Sequence, residues 1–324
     1  MDRLPIETWT QICSFACTDS GFTGRSLSLA SSYTRRACEP FRLQSIAVHG
    51  PRSIFALQNC IDEAPAYLRR VRYLFISQHR PDQVIRHPGD RFAMEQAIGK
   101  AVRRIVEIVA DTLEVVALDV PAFTFSVTPI APMPRLTDLI CTTRPLQNLC
   151  DPEQPAFPRL QRLHITALCR PFNHAKFFEE ITELAPSLKY LKFSGIHEDR
   201  SFCHVLGLVL GRELSATRRI FDEPYAPGPV EAKKLPRSIE RLYGQPAGRF
   251  VAEGSILFAY VYDQLLADLQ ELDGYGETRF VLLEADTDAE EQARKYRLDW
   301  EAAIIGEQDR WRLENKFGVS KGGH

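Results

Sequence analysis

The 324-residue sequence predicts an α/β fold: a short N-terminal helical module, then an irregular solenoid of parallel strands with helical connectors. Three observations carry that prediction. The pattern Leu-x-x-Leu-x-apolar recurs as Leu113-x-x-Val116-x-Leu118, Leu136-x-x-Leu139-x-Cys141, Leu160-x-x-Leu163-x-Ile165 and Leu188-x-x-Leu191-x-Phe193. Its starts lie 23, 24 and 28 residues apart, room for one strand and one return segment per copy. The opening residues lack the pattern and instead place apolar residues at helical spacing.

In the opening segment, Pro5 suits a first helical position, where its missing N–H costs nothing. Glu7 follows in the first turn, facing the positive end of the helix dipole. Trp9, Ile12, Cys13 and Ala16 then fall at i, i+3, i+4 and i+7, an apolar stripe. Gly21 and Gly24 break the pattern, residues 27–33 resume it as a second helix, and Pro40 ends it. Further along, Val71-x-x-Leu74-x-Ile76 is an earlier copy of the repeat, and residues 90–110 carry Phe92, Ala97, Ala101, Ile105 and Ile108 at helical spacing. Pro132 and Pro134, then Pro155 and Pro158, favour extended backbone ahead of two strands. Asn173 is a suitable N-cap for a helix over 176–184, which Pro186 stops. Beyond residue 200 the spacing predicts helices over 202–210 and 256–272, strands over 218–221 and 279–285, and a loop over 224–229. A charged amphipathic helix from 288 to 311 is expected to cap the solenoid end, since such folds need a polar outer face there.

Leu4-Pro5-Ile6-Glu7, Ile12 and Leu27-Ser28-Leu29 together resemble an F-box, the helical module that docks a protein onto a Skp-type adaptor. The repeats resemble leucine-rich repeats, although the asparagine that usually follows such strands is absent. Residues 43–50 are similar to a strand that follows the F-box in many fungal members of the family. The match departs from the family at the longer polar loop 18–25 and at Ala30-Ser31-Ser32-Tyr33, where Val-Cys-x-x-Trp is usual. The resemblance implies a substrate-recognition subunit of an SCF-type cullin–RING ubiquitin ligase. It implies adaptor contacts at Leu4, Pro5, Ile6, Trp9, Ile12, Leu27 and Leu29, with a cullin reached through the adaptor. An unknown protein substrate is then expected on the strand-lined face, at exposed positions such as Arg162, His164, Lys189, Tyr190 and Lys192, with Thr137, Asp138 and Gln161 beside them. The expected division is 1–48 for the F-box-like module, 49–315 for the repeat domain and 316–324 for a flexible tail. A solenoid scaffold with no link to ubiquitination is the alternative.

Composition narrows the rest. The net charge is −2, and the basic pairs, such as Arg103-Arg104 and Arg218-Arg219, are scattered, so no basic stripe for nucleic acid is expected. No apolar run reaches the roughly eighteen residues a transmembrane helix needs, and the N-terminus lacks the pattern of a secretory signal. The eight cysteines show no paired spacing and are expected as reduced, mostly buried thiols in the cytoplasm or nucleus. No phosphate loop, nucleophile elbow or zincin motif occurs. Cys203-His204 with His197 lacks the close ligand pairs of zinc sites. Cys13 and Cys17, one helical turn apart, could be pictured as ligands but are more simply read as small apolar packing residues on the first helix. The expectation is therefore a binding protein without metal, cofactor or catalytic residues.

Overall fold

The computed structural model describes residues 4–78, 88–120, 131–142, 155–168, 174–197, 200–212, 214, 232–248, 256–274, 279–285 and 289–307. The expected strand over 218–221, the loop over 224–229, the Asn173 cap and the tail from 316 lie outside them. The described residues form an eight-stranded sheet in which every strand lies parallel to its neighbours and spatial order follows chain order. The strands are β1 (Ser45–His49), β2 (Tyr73–Ser77), β3 (Val115–Asp119), β4 (Asp138–Thr142), β5 (Arg162–Leu168), β6 (Tyr190–Ile196), β7 (Arg241–Pro246) and β8 (Phe280–Leu282). Three helices precede them: α1 (Ile6–Ala16), α2 (Phe22–Ala30) and α3 (Ser32–Cys38). Helices α4 (Gly50–Glu63), α5 (Pro88–Val109), α6 (His174–Leu184), α7 (Arg200–Val209) and α8 (Ile256–Asp273) connect strands, and α9 (Ala289–Ile304) follows the last.

The repeat has one backbone device. The amide of each leading repeat residue closes a tight turn: Leu113 N–H to Ala110, Leu136 to Met133, Leu160 to Phe157, Leu188 to Ala185 and Ile239 to Pro236. The next amides then bond to the preceding copy: Thr137 to Glu114, Gln161 to Thr137, Lys189 to Gln161 and Glu240 to Lys189. Polar backbone entering each strand is thereby satisfied by the neighbouring copy. Leu113, Leu136, Leu160 and Leu188 are all buried at equivalent places. The second repeat positions line up in register as Leu74, Val116, Leu139, Leu163, Leu191, Leu242 and Phe280. They pack with Ile54, Ile105, Phe177, Phe202 and Leu265 of the connecting helices in one continuous core. Burying each such side chain is worth about 1.5–3 kcal/mol.

Strand β7 was not predicted. Its repeat reads Ile239-x-x-Leu242-x-Gly244, with glycine where an apolar side chain belongs. A Cβ at Gly244 would come within 2.7 Å of the Phe280 ring, so the ring of the next strand fills that space. Three other expectations are corrected. Pro5 is the N-cap of α1 rather than its first helical residue. The expected second helix is two helices divided at Ser31, whose extended backbone and capping box with Thr34 start α3. Not all cysteines are thiols: Cys13 is bonded to Cys38, tying α1 to α3.

Helix α9 does not cap the end beyond β8. It lies across the sheet face opposite α4–α8, over β2, β3 and β4. Tyr73, Phe75, Val115, Ala117 and Ile140 make that face apolar, and Tyr296, Trp300 and Ala303 cover it. An apolar face left in water would forfeit this burial, which is why the chain returns over it.

Candidate functional site

Two surfaces hold the positions singled out by the sequence. The first is the helical module. Its interior is small: Cys13, Cys17 and Cys38, with Leu27 and Phe41 packed against them. Asp19 caps α2, accepting from the Gly21 amide at 3.0 Å and the Thr23 amide at 2.9 Å. Gly21 enters α2 at a φ of 92°, with Ser45 O only 3.1 Å from where a Cβ would sit, so glycine is needed there. The Tyr33 hydroxyl donates to Leu4 O at 2.8 Å and holds the start of the chain against α3.

With so small an interior, the module's larger apolar side chains face outward. Leu4 is 44% exposed, Ile12 40%, Phe15 75%, Phe22 73% and Leu29 71%. Of the seven motif positions, Leu4, Pro5, Ile12 and Leu29 are exposed, whereas Ile6, Trp9 and Leu27 are half-buried. Ile12 thus leaves the inward stripe, which runs instead through Cys13 and Cys17. Phe15 and Phe22 belong to the exposed set and lie outside the seven motif positions.

The second surface is the strand face opposite α4–α8. Arg162, His164, Tyr190 and Lys192 do project to that side, as alternation requires. They are not the open row expected. The Arg162 side chain is 15% exposed and grips the 3%-exposed Asp138 carboxylate, with Nη2 to Oδ2 at 2.9 Å. Burial disfavours the Arg162 charge, but the hydrogen bond and attraction of Asp138 outweigh it and raise its pKa. His164 is buried: its Nε2 lies 2.8 Å from Ser194 Oγ, and its ring stands edge-on to Tyr296 of α9. Lys192 Nζ sits 3.9 Å from Asp299 Oδ2, also on α9. Thus His164, Lys192 and Asp138 are corrected from exposed to covered. Lys189 remains half exposed with Nζ 3.4 Å from Glu240, whose other carboxylate oxygen accepts from the Tyr190 hydroxyl at 3.0 Å. Replacing Arg162 by alanine is expected to cost about 1–3 kcal/mol, because the buried Asp138 carboxylate would lose its paired bond from the guanidinium. Urea unfolding of the variant measures this; an unchanged midpoint would refute it.

The Ser194–His164 contact was not legible in the sequence, since the two residues lie 30 positions apart. A hydroxyl beside an imidazole is what nucleophilic catalysis uses. Here Ser194 has no exposed surface, and Asp299 Oδ2 stands 3.7 Å from His164 Nδ1, beyond hydrogen-bond reach. The group is a buried polar bridge joining β5, β6 and α9. Burial pushes the Cys141 thiol far above its usual range and leaves it unreactive. Among the described residues, no three His, Cys, Asp or Glu side chains are grouped to hold a metal ion, and no helix is long and apolar enough to cross a membrane.

Comparison with family models, curated proteins and solved structures finds no match for this chain.

Proposed function

We propose that the chain is the substrate-recognition subunit of an SCF-type cullin–RING ubiquitin ligase. In this reading α1–α3 form an F-box that binds a Skp-type adaptor, and the parallel-strand domain is an irregular leucine-rich-repeat-like solenoid that binds a protein substrate. The observation that carries it is the exposure of Leu4, Ile12, Phe15, Phe22 and Leu29 on one small helical module. Leaving such side chains in water gains nothing unless a partner covers them. Leu4, Pro5, Ile12 and Leu29 would be the contact residues, with Ile6, Trp9 and Leu27 holding the helices beneath them. Sequential parallel strands with helical returns support the solenoid part. Because α9 covers β2–β4, the substrate surface in this reading moves to the rim at Lys189, Tyr190 and Glu240.

The test is direct binding of the purified chain to a purified Skp-type adaptor by calorimetry. Binding at micromolar concentration is expected. The double variant Ile12→Asp/Leu29→Asp should weaken it at least about tenfold, as each charge would be forced into an apolar contact. Both positions are exposed, so the variant's unfolding midpoint should stay that of the parent. No binding by the parent chain would remove the proposal. One observation favours the alternative, an interaction scaffold with no ligase partner. The Cys13–Cys38 bond suits an oxidising compartment better than a reducing cytosol. The same titration separates the two readings.

A further inference from the structure

We infer that the chain binds a small phosphate monoester in an arginine-lined cavity at the foot of the sheet. The cavity has a volume of about 360 Å³ and is lined by Phe41, Gln44, Arg70, Arg72, Thr112 and Arg135. These residues come from the segments that enter β1, β2, β3 and β4, so the repeat brings them together from distant parts of the sequence. The volume lies within the range of small-molecule sites.

The lining fixes the chemistry of the ligand. Three guanidinium groups face one cavity, and among the described residues a single carboxylate answers them: Glu114 takes the Arg72 Nε at 2.8 Å and Nη2 at 2.7 Å. That bond, opposed by burial, raises the Arg72 pKa. Arg70 and Arg135 make no hydrogen bond or ion pair among the described residues. The Thr112 hydroxyl and one hydrogen of the Gln44 amide are already committed as donors. Gln44 Nε2 donates to Ser14 O at 2.9 Å, and Thr112 Oγ1 lies 2.8 Å from Val71 O and 3.0 Å from Val109 O. What the cavity offers is a set of arginine donors with excess positive charge. Arginine has no acceptor, so the matching ligand is one whose charged end accepts only. A phosphate dianion presents three such oxygens to planar forks and balances two unanswered charges, which one carboxylate cannot do. Phe41 supplies an apolar wall for the organic part of the ester. The inference stands whether or not α1–α3 bind an adaptor.

Phenyl phosphate is the first probe, measured by calorimetry and by thermal unfolding of the full chain. Benzoate, and sodium chloride at matched ionic strength, serve as controls. Saturable binding of phenyl phosphate is expected, with benzoate at least about tenfold weaker. The double variant Arg70→Ala/Arg135→Ala removes two exposed side chains, so it should unfold at the parent temperature without ligand. It should bind at least about tenfold more weakly, and Arg70→Lys/Arg135→Lys should fall between, since charge survives and the fork does not. Equal temperature shifts from phenyl phosphate and chloride would overturn the inference. So would unchanged affinity in the alanine variant. A phosphoserine peptide is the last arm. If it binds far more tightly than phosphoserine itself, the site belongs to a phosphorylated protein segment and the small-molecule assignment fails; equal affinity supports it.

Discussion

Trp300→Ala is expected to lower the stability of the chain by about 3–5 kcal/mol, the range for removing a fully buried aromatic side chain. Trp300 is 0% exposed, the largest fully buried side chain among the described residues. It is the centre of the contact between α9 and the sheet, with its ring edge-on to Phe75 at 5.7 Å and Tyr296 and Ala303 on either side along the helix. The face beneath, Tyr73, Val115, Ala117 and Ile140, belongs to three adjacent strands that cannot move together to close the gap. The cavity term should therefore add to the lost burial. Urea unfolding gives the magnitude. Leu298→Ala, on the same helix but 54% exposed, is the control and should change stability by no more than about 0.5 kcal/mol. Equal effects of the two substitutions would mean that α9 does not close the sheet face.

The second large effect is expected at Leu163, where alanine should cost about 2–5 kcal/mol. Leu163 is 0% exposed and lies in register between Leu139 and Leu191. Each of those is itself held by a neighbour on its far side, Val116 and Leu242. A void in the middle of such a row has little means of collapse. A variant that loses under about 1 kcal/mol would contradict this packing. If the repeats behave as nearest neighbours, the damage should also be local, and hydrogen exchange should rise first in β4, β5 and β6 rather than at β1 or β8.

The expected surface row shows where sequence reasoning stops. Period-two alternation located Arg162, His164 and Lys192 on the side away from the connecting helices, and they are there. Their exposure was a different question. It depended on Tyr296, Asp299 and Trp300, more than a hundred positions later. The amphipathic pattern of that helix was readable, but a pattern says that a face must be buried and not against what. The same gap hid the arginine cavity, whose residues are scattered from Phe41 to Arg135 and converge only through strand pairing.

What the sequence by itself determined was local and periodic. The Leu-x-x-Leu-x-apolar spacing set the strand positions, their parallel order and the burial of Leu113, Leu136, Leu160 and Leu188, because each copy can bury its leucines only against the next. The tertiary structure alone decided the long-range closures: α9 over the sheet face, Cys13 against Cys38, and Gly244 beneath the Phe280 ring. The physical reason is that hydrophobic burial is non-directional. Apolar spacing along the chain specifies how much surface each element must hide, while shape and connectivity choose the partner that hides it.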